Sequence, residues 1–319
     1  MTVAAICCSH SPLMLGFYEP SDKHAEFSVR ASFARLADWV SALDPELVVV
    51  FGPDHYNGFF YELMPPFCLG IRAEASSDWD IQPGPLQVPE ALAVACLEHV
   101  RAADVDLAAS WKMTVDHGTT IPLNYLAGAL DRYPVLPIVV NCVAPPLPSF
   151  RRCRALGQAV GSFLAKTGKR VLILGSGGLS HDPPTPRLAE LPPGDAHLLI
   201  ERRRPTRNEY DQRQARVVRM TQAMLVGQGP CLPPDPDWDL AVLDHLRDKD
   251  LAWFDGLQDK EVWRLGGHGG GEVRCWVAAA AAMAACGDYQ PTVECYQTIP
   301  EWLTGMGLMR FESIRGEAS

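Results

Sequence analysis

LVVVFGPDHYN, residues 47–57, begins as an apolar run and ends in a turn followed by a polar cluster. The five apolar residues at 47–51 predict a buried strand, because runs rich in branched and aromatic residues are typical of the middle of a sheet. The Gly-Pro pair at 52–53 predicts the turn. His55 is therefore expected directly after a buried strand.

The same alternation of apolar runs and helical patterns continues along the chain. It predicts an α/β fold with a mostly parallel central sheet flanked by helices. No repeat or linker divides the sequence, so residues 1–319 are expected to form one domain, with a disordered C-terminal tail at about 311–319. The predicted strands are 3–8, 47–51, 67–71, 107–111, 135–141 and 170–174. The predicted helices are 30–43, 89–103, 121–130, 149–166, 211–226, 239–247 and 272–286.

Composition narrows the class of partner. The net charge is −10, without a basic block, which argues against nucleic acid as the partner and favours a small molecule. No run of about 18 apolar residues predicts a membrane helix, and the N-terminus lacks the pattern of a signal peptide. The ten cysteines are scattered without a Cys-x-x-Cys pair, as expected for reduced thiols in a cytoplasmic protein.

Three familiar motifs fail on inspection. Residues 175–180, GSGGLS, lack the last glycine of the dinucleotide-binding fingerprint. Their serines do not have the spacing of a nucleophile elbow. The sequence also contains no Walker A loop. Nucleotide binding and α/β-hydrolase chemistry are both disfavoured.

Four of the nine histidines follow predicted strands: His10, His55, His117 and His181. Ligands bind beyond the carboxyl ends of the strands in open parallel sheets, so these side chains are predicted to share a pocket. A single histidine in such a place is more often structural, and it is the common placement of four that favours a site. Asp54 precedes one of these histidines directly, and Asp116 precedes another. Each could orient a neighbouring ring, but solvated turn acids are the favoured interpretation.

The glycine-rich stretch GGHGGGE, residues 266–272, allows several interpretations. It precedes a predicted helix, where it could cradle a phosphate or simply be a flexible approach. Glu272 fits a first-turn acid or a metal ligand, and spacing alone favours the former. Two imidazoles and one carboxylate would suit non-haem Fe(II). Zinc accepts the same ligands, which leaves hydrolysis open.

Four motifs occur in an order that resembles one enzyme family. They are CSHSP at 8–12, PDHYNGFF at 53–60, VDHG at 115–118 and LGSGGLSH at 174–181. The chain is similar over nearly its whole length to the class III extradiol ring-cleaving dioxygenases, with IPEW at 299–302 adding to the likeness. The resemblance implies an enzyme of aromatic catabolism that opens a catechol carrying a carboxyalkyl side chain, using dioxygen, to a muconic semialdehyde-type product.

The resemblance also implies roles for individual residues. His10, His55 and Glu272 would bind Fe(II), while His117 would donate a proton and His181 would accept one. The family pattern has a histidine before the glutamate where this chain has Gly271, so His268 is a candidate to act beside the metal instead. The aromatic run after His55 would form a wall for the catechol ring, although core packing would produce the same letters.

Alternatives remain open at this level. The same fold could belong to a zinc-dependent hydrolase, to a non-enzymatic protein, or to a dioxygenase for another catechol. A cytoplasmic homo-oligomer that contacts neither nucleic acid nor membrane is expected. A carboxylate on the substrate predicts an arginine or lysine partner, which the sequence leaves unassigned among 28 candidates.

Overall fold

The computed structural model describes residues 2–314, which form an α/β structure. Its strands are β1 (Val3–Cys8), β2 (Leu47–Gly52), β3 (Phe67–Gly70), β4 (Ala73–Ala75), β5 (Gly84–Pro85), β6 (Ala108–Ser110), β7 (Met113–Val115), β8 (Val135–Val140), β9 (Val171–Ser176), β10 (Tyr289–Ile299) and β11 (Thr304–Ser313). Its helices are α1 (Lys23–Leu43), α2 (Glu90–Ala102), α3 (His117–Pro122), α4 (Phe150–Leu164), α5 (His197–Ile200), α6 (Arg207–Leu225), α7 (Pro236–Arg247), α8 (Asp259–Gly266) and α9 (Val273–Cys286).

The main sheet has eight strands in the order β10-β11-β1-β9-β2-β8-β3-β6. The four central strands, β1, β9, β2 and β8, run parallel. Antiparallel pairs occur nearer the edges, where β11 joins β1 and β3 joins β8. Every residue of the four central strands is buried, as in sheets with both faces covered. The predicted α/β fold with a mostly parallel central sheet is confirmed.

Four helices, α1, α3, α6 and α7, begin earlier than the apolar spacing predicted, and in α1 and α3 an aspartate caps the earlier start. The prediction placed the start of α1 at residue 30, but Asp22 accepts hydrogen bonds from the backbone N–H groups of His24 and Ala25, so the helix begins at Lys23. Likewise α3 begins at His117 instead of residue 121, after Asp116 as its N-cap. The second cap fixes the backbone at one of the candidate histidines.

Helix α9 is the central helix of one face of the sheet. It is buried from Val273 to Met283 and packs along α4. The close approach depends on two glycines of α4: a Cβ at Gly157 would lie 2.1 Å from the carbonyl oxygen of Ala278, and one at Gly161 would lie 2.2 Å from that of Ala282. The backbones of α4 and α9 are therefore in direct contact at this interface.

We expect Gly157→Ala to lower the melting temperature of the protein. Alanine gains up to about 1 kcal/mol of helix propensity over glycine, but overpacking costs about 1–3 kcal/mol. The upper end applies because a backbone carbonyl cannot rotate away. Thermal unfolding followed by circular dichroism measures the change. Gly256→Ala is the matched control, since no heavy atom lies within 4 Å of its Cβ position. An unchanged or higher melting temperature for Gly157→Ala would contradict the packing argument.

The hairpin of β10 and β11 was not predicted from the sequence. β11 pairs antiparallel with β1, so the last strand completes one side of the first. The strand runs to Ser313, and Phe311 within it is fully buried. The expectation of a disordered tail at about 311–319 is therefore wrong for residues 311–313. Residues 315–319 lie outside the described part of the chain.

None of the helices within residues 2–314 combines the length and the apolar character needed to cross a membrane.

Candidate active site

Three of the candidate histidines follow three adjacent parallel strands of the main sheet. His10 lies after β1, His181 after β9 and His55 after β2. His117, at the start of α3, lies beside them, and all four line one cavity. The carboxyl ends of neighbouring parallel strands meet at one edge, which is why residues so far apart in sequence come together.

The imidazole rings are in mutual contact. The rings of His55 and His117 stack with centroids 4.2 Å apart, and the ring of His10 lies edge-on to both, at 5.6 and 5.5 Å. One ring nitrogen from each of the three histidines can be chosen so that all lie within 4.8 Å of one another. Such spacing allows shared coordination of one ion.

Glu272 supplies a carboxylate at the centre of this cluster. Its Oε1 lies 3.1 Å from Nε2 of His55 and 3.4 Å from Nε2 of His181, and its Oε2 lies 3.7 Å from Nε2 of His10. The backbone N–H of Gly178 donates to Oε2 at 2.8 Å. Burial favours the protonated acid, but the surrounding histidines hold the pKa of Glu272 well below its usual range. The group is an anion.

The ring of His55 is oriented by Asp116. One oxygen of this carboxylate accepts from the backbone N–H of His55 at 2.7 Å and lies 3.1 Å from Nδ1 of its ring. Asp116 is fully buried, while Asp54, nearly buried, accepts from the backbone N–H groups of Gly58 and Phe59. The prediction of solvated turn acids is therefore wrong for both. Burial, with the nearby charge of Asp116, raises the pKa of Asp54 to about 8.

His10 is oriented in a similar way by Ser176 at the end of β9. Its Nδ1 lies 2.9 Å from the serine Oγ. Burial lowers the pKa of His10 to about 3, so its ring is neutral at ordinary pH. Hydrogen bonds at Nδ1 of both His10 and His55 leave each Nε2 facing Glu272.

This donor set fits a divalent metal ion. Metal–nitrogen and metal–oxygen bonds of about 2.0–2.2 Å place neighbouring ligand atoms about 3 Å apart. Nε2 of His55 and Nε2 of His10 lie at 3.1 and 3.7 Å from the oxygens of Glu272. Hydrogen bonds to the remote ring nitrogen are the usual support of ligating histidines. Two imidazoles and one carboxylate on one side of an ion leave its other positions open to substrate.

His117 has its own carboxylate partner, Asp78. Nδ1 of His117 lies 2.5 Å from Oδ2 of Asp78, whose other oxygen accepts from the hydroxyl of Ser76 at 2.8 Å. Asp78 begins a tight turn in which Trp79 and Asp80 both have positive φ, 51° and 58°. Sequence reasoning missed Asp78, since no local pattern connects it with a histidine 39 residues later.

His181 is enclosed by two glycine-rich segments. A Cβ at either Gly178 or Gly269 would lie 2.1 Å from an atom of its ring. Gly269 thus makes room for the imidazole ring of His181, and Gly267 makes room for the backbone carbonyl of the same residue, which explains these two glycines without a phosphate. Nδ1 of His181 lies 3.1 Å from the carbonyl oxygen of Leu179 and donates to it, which leaves Nε2 facing Oε1 of Glu272 at 3.4 Å. Burial alone would lower the pKa of His181, but the charge of Glu272 raises it.

His268 lies near the cluster but has different partners. Its Nδ1 lies 2.7 Å from Asp182, and its ring stacks on Trp263. In the part of the chain that the structure describes, no hydrogen bond joins it to Glu272 or to His55, although the three residues border one small cavity.

The main cavity has an aromatic and apolar wall, formed by residues outside the Phe-Phe-Tyr run that follows His55. The aromatic side chains lining it are Tyr56, Trp79, Tyr210 and Trp302, together with a proline-rich loop at 183–186. Phe60, from the aromatic run after His55, is instead buried in a separate core cluster. The structure favours the core-packing interpretation for that residue. Apart from Tyr56, the aromatic wall residues come from distant segments that carried no local signal.

Comparison with known proteins gives the class to which this fold and site belong. Residues 4–307 match the family model described as the catalytic LigB subunit of aromatic ring-opening dioxygenase. The chain belongs to this family. A solved structure of an uncharacterized protein from Escherichia coli K12 shares the fold, with a TM-score of 0.51 and 11% identity over 96% of this chain and 98% of that one.

Named relatives are much more similar in sequence. A protein of Photorhabdus laumondii is 46% identical over 314 residues, 98% of each chain. One from Cupriavidus pinatubonensis is 45% identical, covering 98% of this chain and 99% of the relative, and one from Pseudomonas putida is 47% identical, covering 92% and 94%. All three are named 2,3-dihydroxyphenylpropionate/2,3-dihydroxicinnamic acid 1,2-dioxygenases, the last with the suffix 2.

Proposed function

We propose that this protein is an Fe(II)-dependent extradiol dioxygenase that opens the ring of 2,3-dihydroxyphenylpropionate or 2,3-dihydroxycinnamate. Both atoms of dioxygen enter the product, a muconic semialdehyde-type acid. The observation that carries the proposal is the convergence of two imidazoles and a buried carboxylate on a cavity that also exposes two further histidines. The names of the full-length relatives support the substrate class.

His10, His55 and Glu272 would hold the metal. The two histidines present Nε2 to the carboxylate, and Ser176 and Asp116 fix their rings. When bound there, Fe(II) would acidify the catechol hydroxyls and bring dioxygen next to the electron-rich ring. The choice of iron over zinc rests on the dioxygenase family, since the residue types suit both ions.

The two remaining histidines would move protons. His181, with Nδ1 held by the carbonyl of Leu179, would accept a proton from a catechol hydroxyl at Nε2, and the charge of Glu272, 3.4 Å from that nitrogen, would stabilise the protonated ring. His117, whose Nδ1 is held by Asp78, lines the cavity and would donate a proton to oxygen. Different partners thus suit the two rings to opposite tasks.

One assay tests this function against its rivals. The metal-free protein is loaded with Fe(II) without oxygen, given 2,3-dihydroxyphenylpropionate, and then exposed to oxygen. We expect the yellow ring-opened product in the iron-loaded sample and none in a zinc-loaded control. Iron-loaded protein that stays colourless would contradict the proposal. Hydrolysis with zinc would then favour a hydrolase, and inactivity with both metals a non-enzymatic role.

We expect Glu272→Gln to lose the metal. The change keeps the side-chain volume but removes the negative charge between His10 and His55. Loss of an outer partner of a metal ligand already costs about 10–100-fold in affinity, so loss of the ligand charge itself should cost at least that much. Metal content after loading and desalting, measured by mass spectrometry, checks the prediction.

His268→Gln is the matched control for this prediction. It alters a histidine bordering the same small cavity but bonded to Asp182. We expect it to retain metal. Should His268→Gln lose the metal while Glu272→Gln keeps it, the assignment of the third ligand would have to be reversed.

A further inference from the structure

One face of α6 lines the same cavity as the four histidines. Tyr210, Arg213, Gln214 and Val217 line it at positions i, i+3, i+4 and i+7, which share one side of a helix. Arg213 and Gln214 carry hydrogen-bond donors that have no role in the proposed proton transfers. A role for them in binding substrate rests on the proposed function, because it concerns the same site.

Arg213 is a cation without an acid of its own. Two arginines nearer the start of the helix are paired: Arg203 contacts Glu209, and Arg207 contacts two aspartates. Arg216, one turn after Arg213, also lines the cavity and has a buried Nε without a hydrogen-bond partner among the described residues. Within residues 2–314 no ion pair joins Arg213 to a carboxylate. Burial and the nearby charge of Arg203 lower the pKa of Arg213, which shows that its surroundings disfavour the cation. A partly buried guanidinium is stabilised by an anion that it can bind through two parallel hydrogen bonds.

Gln214 provides a second, independent observation. Its side chain lines the cavity and is only 8% exposed, yet its Nε2 has no hydrogen-bond partner among the described residues. Buried polar groups are nearly always paired, so an unpaired amide beside a cavity points to a ligand that accepts a hydrogen bond. The amide and the neighbouring guanidinium together offer donors and no competing negative charge.

We propose that Arg213 and Gln214 form the subsite that binds the side-chain carboxylate of a carboxyalkyl catechol whose hydroxyls lie at the histidine cluster. The aromatic side chains of Trp79 and Trp302 line the same cavity and suit the ring of such a substrate. Binding at both ends fixes the orientation of the ring before reaction. Catechols without the acid lose that orientation.

The test compares an acid with a neutral substrate of equal chain length. For 2,3-dihydroxyphenylpropionate we expect Arg213→Gln to reduce kcat/KM by about 100-fold, as for removal of one partner of a buried charge pair. For 3-propylcatechol, which lacks the carboxylate, kcat/KM should change by less than about threefold. Gln214→Leu should show the same selectivity with a smaller loss. Arg219→Gln is the matched control, an exposed arginine farther along α6.

A binding experiment keeps this inference separate from the proposed function. 3-Phenylpropionate has the carboxylate but no hydroxyls, so its binding to the iron-loaded protein under nitrogen does not depend on turnover. We expect calorimetry to detect binding to the unaltered protein and to Arg219→Gln, and none to Arg213→Gln.

Two results would overturn the subsite. One is that Arg213→Gln loses activity to the same extent on the acid and on the neutral substrate. The other is that 3-phenylpropionate binds to this variant as tightly as to the unaltered protein. If Arg213→Gln fails to fold, Gln214→Leu undergoes the same comparisons. An unaltered protein that cleaves no catechol but binds 3-phenylpropionate through Arg213 would contradict the proposed function alone.

Discussion

His10→Ala and His55→Ala are each expected to leave the protein without bound iron and without detectable ring cleavage. Each variant removes one of the two imidazoles whose Nε2 faces the carboxylate of Glu272. Three protein ligands are the minimum of the facial arrangement, so two cannot retain the ion through desalting. The supporting contacts to Ser176 and Asp116 cannot substitute, because they lie behind the rings.

Metal content and fold must be measured together for these two variants. Mass spectrometry of the desalted protein gives the iron content, and circular dichroism shows whether the α/β structure is retained. His24→Ala is the control, an exposed histidine in the first turn of α1. Iron retained at wild-type level by His10→Ala or His55→Ala would remove that residue from the ligand set.

His117→Gln and His181→Gln are expected to keep iron and lose turnover. General acid–base groups typically contribute about 10²–10⁴-fold to a rate, so kcat should fall within that range in each variant. His181 lies 3.4 Å from Glu272 but has Nδ1 bonded to a backbone carbonyl, and His117 is bonded to Asp78. Rapid mixing of the anaerobic substrate complex with oxygen measures the step directly.

The geometry contains a rival to the proposed role of His117. A ring nitrogen of this residue can lie within 4.8 Å of nitrogens of both His10 and His55, which would also suit a three-histidine site. The two roles give opposite results: a proton donor leaves the iron content of His117→Gln unchanged, whereas a ligand does not. Loss of iron from this variant would therefore assign His117 to the metal.

The features that could be predicted from the sequence are those that a short stretch of residues determines. The apolar runs of the central strands predicted the sheet, and His10, His55 and His181 were recognisable because each follows such a run. In a parallel sheet, a residue that directly follows a strand lies at the edge of the sheet where ligands bind. Local pattern and global geometry agree at these three residues.

The features that could not be predicted depend on long-range contacts. Asp78 reaches His117 through a turn with two residues at positive φ. Asp116 hydrogen-bonds to His55 and not to the ring of His117, its neighbour in the sequence, because the folded backbone places the carboxylate beside the ring of His55. Nothing in the sequence distinguishes Arg213 among the 28 lysines and arginines, and it is the packing of α6 that places this residue at the cavity. Such residues look like ordinary polar positions in the sequence.

The pairing of β1 with β11 has a consequence for how the protein is made. Residues 4–8 lie against residues 308–312, and Trp302 to Thr304, just before and at the start of β11, close one wall of the cavity. Synthesis proceeds from the N-terminus, so the first strand emerges long before its last neighbour exists. The active site therefore cannot be completed until residues 302–312 have been synthesised. A polypeptide ending before residue 302 would lack both a neighbour of β1 and part of the substrate cavity.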